Sequence, residues 1–178
     1  MLSIRSWLTL MISLTMLGLS TNAYTGEQTL SVTMSWNGEG TLYSTGVDEM
    51  TFKGALEGIM YTVNADGDLN AAFAECPIDV EINKKSQTSM MSGNCEVTGA
   101  GGDVVYADLS CSGKPGICKG TFTLTGGTGR FEGVTGASKM VFRSVVSSLV
   151  TEMASGSRIK VANGIAILPK LTFSIPGQ

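Results

Sequence analysis

The chain has 178 residues, enough for one domain, with 12 Lys and Arg against 15 Asp and Glu and a formal net charge of −3. A mildly acidic chain without Lys/Arg clusters excludes nucleic acid and anionic membrane surfaces as natural partners. It contains no His, which excludes Ser-His-Asp and Cys-His catalysis, His-ligated zinc and the usual general base near neutral pH.

Residues 1–23 read as a secretory signal peptide, and 24–178 as one β-barrel domain. Arg5 supplies the positive start, residues 7–19 form an apolar run, and Thr21 and Ala23 place small residues before a cut at Tyr24. A membrane anchor is the rival reading. Thirteen residues at a rise of ~1.5 Å cannot cross a ~30 Å hydrocarbon core, and no later stretch reaches spanning length. The expected location is therefore secreted or periplasmic, after cleavage near Ala23. No Cys follows the run closely, so a lipid anchor is not expected.

The mature part alternates with period two. Leu30, Val32, Met34 and Trp36 share one face of a strand, and Thr29, Ser31, Thr33 and Ser35 the other. Met50, Phe52, Leu56 and Met60 continue the pattern, with Gly54 and Gly58 on the same face, where small residues let a bent strand or another segment come close. Residues 69–75 suit either one helical turn or a short strand. Strands are expected at 76–83 and 90–98 around Lys84-Lys85-Ser86-Gln87, and at 104–111 after Gly101-Gly102. Others follow at 120–125, 139–150, 158–162, 165–168 and 171–175. Asn37-Gly38 and Asn163-Gly164 read as type I′ hairpin turns. Pro169 reads as a strand end or corner. Eight to ten short strands without a helical period imply an all-β sandwich or closed barrel.

Four Cys in an exported domain imply two disulfides, with three possible pairings. No C-x2-C spacing supports zinc. Cys76 and Cys95 are equidistant from the turn at 84–87 and should be cross-strand neighbours. Cys111 and Cys118 bracket a natural loop. The expected pairs are therefore Cys76–Cys95 and Cys111–Cys118, with a 95–111 link as the nearest rival.

Several motifs fail on inspection. The run from Gly126 to Gly136 lacks the Gly-Lys-Ser/Thr of a Walker loop, and Glu132 stands where a dinucleotide fingerprint needs Gly. Residues 64–70 with Glu75 resemble a calcium loop, but Gly67 is fourth rather than sixth and a plain turn fits better. Asp48 and Glu49 read as turn residues rather than an acid/base pair. Met90-Met91 with Met50 and Met60 read as core filler rather than a copper site. No catalytic residue, resident metal or cofactor is called for.

The corner Gly126-Gly127-Thr128-Gly129-Arg130-Phe131-Glu132-Gly133-Val134-Thr135-Gly136 resembles the G-T-G-x-F/Y-x-G-x-x-G corner of the allene oxide cyclase-like barrels. That superfamily also takes in plant dirigent proteins and many bacterial secreted proteins. The resemblance covers the chain from about residue 95 to its end. It implies a single closed antiparallel barrel of about eight strands, allene oxide cyclase/calycin-like, with an apolar interior. Its best-known activities, epoxide cyclisation and stereocontrol of radical coupling, work by shaping an apolar cavity. No active-site residue of either can be matched here, and a shared barrel does not fix a function.

In a closed barrel one alternating set must face inward. The apolar set Phe52, Leu56, Met60, Phe122, Leu124, Met140 and Phe142 is expected there, as the only plausible site for a small apolar ligand. The Gly-rich corner is expected to close one end and leave the other as the mouth. Three functions compete: a non-enzymatic carrier of a small hydrophobic molecule, favoured here; a cavity-templated isomerase or cyclase; and a solid structural barrel.

Overall fold

Period-two alternation decides the architecture, because every long strand buries one face and wets the other. The computed structural model describes residues 26–63, 69–144 and 158–177. Eight strands form one closed antiparallel barrel in the order β1 to β8, with β8 returning to pair with β1. They are β1 (Gln28–Ser44), β2 (Glu49–Val63), β3 (Leu69–Asn83), β4 (Thr88–Gly99), β5 (Val104–Lys114), β6 (Ile117–Gly127), β7 (Thr135–Ser144) and β8 (Arg158–Ser174). A single 3-10 turn, Gly129–Phe131, sits between β6 and β7. Closure gives every strand a neighbour on both sides, which removes the open edges of a flat sheet.

The inner face carries the core: Val32, Met34, Trp36 and Leu42 from β1, with Phe52, Leu56 and Met60 from β2, are all buried. The outer face of β1 from Thr29 to Asn37 is exposed Ser, Thr and Asn, with Glu39 and Tyr43 exposed further along. These faces are the reverse of an outer-membrane barrel, whose apolar band looks outward. No helix among the described residues is long and apolar enough to cross a membrane.

The strands, at 10 to 17 residues, are longer than the usual five or six. Long strands close a narrow barrel only if they coil tightly, and inward glycines permit that. A Cβ on Gly54 would sit 2.1 Å from the Glu39 carbonyl oxygen across the β1–β2 pair. The strand is glycine there because the neighbouring backbone occupies the place of a side chain.

Several turn and strand expectations are corrected. Asn37-Gly38 and Asn163-Gly164 are not hairpin turns: they lie inside β1 and β8, where Asn37 faces Asn163 directly. The segments expected at 158–162, 165–168 and 171–175 merge into one continuous strand, β8, which ends at Ser174. Pro169 does not end it. Between Leu30/Leu171 and Val32/Leu168 the register shifts by one residue, so the proline falls in a bulge, where its missing N–H breaks no ladder bond. Residues 69–75 are strand, as the start of β3. The turns at 84–87 and around Gly101-Gly102 fall between β3 and β4 and between β4 and β5. The leader expected at 1–23, the mature start expected at Tyr24, residues 64–68 of the calcium-like segment and residues 145–150 lie outside the described residues.

Both disulfides form as expected. Cys76 and Cys95 stand opposite each other inside the barrel with Cα atoms 4.1 Å apart. Cys111 and Cys118 are joined with Cα atoms 5.5 Å apart. Their setting differs from the loop anticipated: β5 and β6 continue to a two-residue turn at Pro115-Gly116, where Gly116 has φ 80°. The bond links diagonal neighbours, since Cys111 faces Gly120 and Cys118 faces Gly113.

Candidate functional site

The middle of the barrel is packed shut. Met34, Met140, Phe122, Leu168 and the Cys76–Cys95 bond surround a residual space of only about 20 Å³. Space opens towards the two ends. At one end a cavity of about 100 Å³ lies among Trp36, Phe52, Leu56, Met91 and Phe142. At the other a cavity of about 410 Å³ is lined by Val32, Met60, Phe122, Leu124, Phe131 and Phe173, with Thr62, Asn70 and Arg130 supplying polar groups. Of these two interior cavities, the second alone reaches the ~300 Å³ at which small-molecule sites begin.

All seven residues expected inside are buried on the inner face. They do not share one space. Met60, Phe122 and Leu124 line the larger cavity. Phe52, Leu56 and Phe142 line the smaller one. Met140 stands in the closed middle.

The Gly-rich corner does not seal its end. It forms one wall of the larger cavity, through Arg130, Phe131 and Val134. Its shape follows from its residues. The Thr128 N–H donates to the Val104 carbonyl at 2.8 Å, and the Val104 N–H donates to Thr128 Oγ1 at 2.9 Å. That pair of bonds pins the corner to the start of β5. The chain then turns sharply at Gly129, φ 55°, and the Phe131 N–H donates back to the Thr128 carbonyl at 3.0 Å. Val134 is buried and anchors the return to β7. Arg130 lies on the rim, its guanidinium 4.8 Å from the Phe131 ring centroid and its Nε 3.4 Å from Asp103 Oδ2.

Gly129 meets two constraints at once. Its φ is left-handed, and a Cβ there would lie 2.0 Å from Asp103 Oδ1. Gly129→Ala should therefore cost about 1–2 kcal/mol in urea unfolding. Gly101→Ala, where nothing lies within 4 Å of the added carbon, should stay within about 0.5 kcal/mol of the parent. Equal losses would show that the corner is not held as described.

At the smaller cavity, Trp36 and Phe142 stack with centroids 4.6 Å apart and planes at 12°. The Trp36 indole N–H is buried without a hydrogen-bond partner among the described residues. The methionine grouping dissolves. Met90 points outward at 62% exposure, while Met91, its neighbour, is buried. Met50 and Met60 stand ten positions apart along β2, about 33 Å at ~3.3 Å per residue in an extended strand. Among the described residues no cluster of acidic or Cys side chains could hold a metal.

Reasoning from sequence missed Phe131, Phe173, Val97 and Val105 as cavity residues. Phe131 was visible in the corner motif. Nothing local marks a loop aromatic as turning inward, because its contacts lie across the barrel mouth.

No protein-family model matches the chain, and no curated protein matches it in sequence. Among solved structures, a pterocarpan synthase dirigent protein is similar at 12% identity, over 85% of this chain and 88% of that one, with a TM-score of 0.38. The closed barrel rests on the strand pairing itself.

Proposed function

We propose that this is an exported carrier barrel that takes one small hydrophobic molecule into the cavity beside the Gly-rich corner. The observation that carries the reading is that cavity of about 410 Å³, walled by Val32, Met60, Phe122, Leu124, Phe131 and Phe173. Apolar walls with a few polar groups at one side are what small-molecule sites share. The packed middle keeps the ligand at this end and short. Export follows from the leader read at 1–23, and two disulfides suit an oxidising compartment. N-terminal sequencing of the exported protein should start at Tyr24.

The carrier stands ahead of the cavity-templated cyclase because of the polar inventory. The polar side chains at this cavity are Thr62, Asn70 and Arg130, an alcohol, an amide and a permanently charged guanidinium, and Asn70 and Arg130 are exposed at its rim. The buried Ser89 and Ser138 do not line it. A template for proton transfer would need a titratable group at the bound molecule.

The test is native mass spectrometry of protein purified from its own periplasm or medium, beside a Met60→Trp variant. Met60 borders both the cavity and the packed middle, so the larger ring must enter the space a ligand would use. The parent should retain a small molecule. The variant should lose it, with affinity for an apolar fluorescent probe falling about tenfold or more, while overpacking costs about 1–3 kcal/mol of stability. A parent that holds neither ligand nor probe would make the barrel a structural one.

A further inference from the structure

Most of the outer surface is Ser, Thr and charged side chains, but one sector is not. The register sets Ile165 of β8, Ser35 of β1, Ile59 of β2 and Phe73 of β3 in a single outward row. The adjacent row holds Val141 of β7, then Ile167, Thr33, Tyr61 and Ala71. Phe73, Ile165 and Ile167 are 45%, 48% and 41% exposed. A contiguous apolar patch on a soluble surface marks a contact.

The charges around this patch are sorted by sign. On the β7 side stand Arg143, paired with Ile165, and Lys119 of β6, paired with Val141. On the β3 side Glu57, Glu75 and Glu96 face one another in one row across β2, β3 and β4. Like charges directly opposite on a sheet repel. All five of these side chains are exposed, and none has an ion-pair partner among the described residues.

We propose that this sector is the contact between two copies of the chain, related by a two-fold axis running along β1. Such an axis exchanges β8 with β2 and β7 with β3. It sets Ile165 of one copy against Ile59 of the other, and Ile167 against Tyr61. Arg143 meets the Phe73 ring, with Glu75 of the second copy beside it. Along the axis lie Thr33 and Ser35, small enough to let the flanking apolar side chains meet. The apolar rows cross four and five strands, about 14 and 19 Å at ~4.8 Å spacing. Beyond them the barrel curves away, and there the long Arg, Lys and Glu side chains span the widening gap. The arrangement brings Arg143 of each copy, one row away, beside the acidic row of the other and relieves that row's repulsion.

Sedimentation velocity on the full exported protein, over a concentration series, tests this. A dimer is expected, weakening as salt is raised because its flanks are ionic. Ile165→Arg should weaken it about tenfold or more. Arg143→Glu should weaken it too, and adding Glu75→Arg to that variant should restore association. Tyr43→Arg, at an exposed apolar residue outside the sector, should leave the dimer intact. Melting curves confirm that each variant is folded, and these exposed positions are chosen so that folding survives. A monomer at every concentration, a closed ring of three or more copies, a dimer indifferent to Ile165→Arg, or no recovery by the charge swap would each overturn the proposal.

Discussion

Valine in place of Gly164 should lower the stability of the barrel by more than about 3 kcal/mol, beyond the usual range for overpacking. Gly164 lies in β8 opposite Trp36 of β1 and Ser144 of β7, at the seam where the last strand closes the barrel. A Cβ there would sit 2.0 Å from the Arg143 carbonyl oxygen and 2.4 Å from the Trp36 ring. The carbonyl belongs to a paired strand and cannot move aside. The indole is held by its stack on Phe142, so relief on one side breaks packing on the other. Urea titration should show a much lower midpoint, with near-ultraviolet circular dichroism reporting the loss of the Trp36 environment. A midpoint equal to the parent's would mean that β8 does not close the barrel in this register.

Replacing Cys76 and Cys95 together by alanine is the second large effect. The bond closes a loop of 19 residues' separation, so releasing it returns about 3 kcal/mol of chain entropy to the unfolded state, in the loop-closure model. Both residues are buried in the packed middle of the barrel, so removing the two sulfurs also leaves unfilled space. At about 2–4 °C per kcal/mol for a domain of this size, the melting temperature should fall by roughly 6–12 °C. Cys111 and Cys118 are only 7 residues apart, and their removal should cost less, about 2.5 kcal/mol. The reverse order of the two losses would show that the interior bond does not act by restraining the unfolded chain.

Much of the fold was legible along the chain because a strand's alternation is a local property. Leu30 to Trp36 and Phe52 to Met60 declared their buried face directly, and the structure keeps both. The disulfide at Cys76 and Cys95 was legible for a related reason: a four-residue turn at 84–87 fixes the register of β3 on β4, and register fixes which cysteines meet.

What failed were signals whose meaning depends on a partner far away in sequence. Asn-Gly marks backbone freedom, which serves a turn or a tight approach equally well. At 163–164 the approach won, because Trp36 and Arg143 press on that position. Pro169 marks a missing donor, which ends a strand unless a bulge accepts it, and the bulge exists only through pairing with β1. Met90 and Met91 are adjacent in the chain but fall on opposite faces, so the core-filler reading holds for Met91, as for Met50 and Met60, and fails for Met90, which the pleat turns outward.

The candidate site divides in the same way. By itself the sequence determined an inward apolar set and a Gly-rich corner, since both are patterns of neighbouring residues. Only the tertiary structure decided that the middle of the barrel is filled, that about 410 Å³ stays open at one end, and that the corner is a wall of that opening rather than its plug. Cavity volume is the small remainder after side chains from all around a barrel have met. It therefore depends on closure and register together, and no stretch of chain carries it alone.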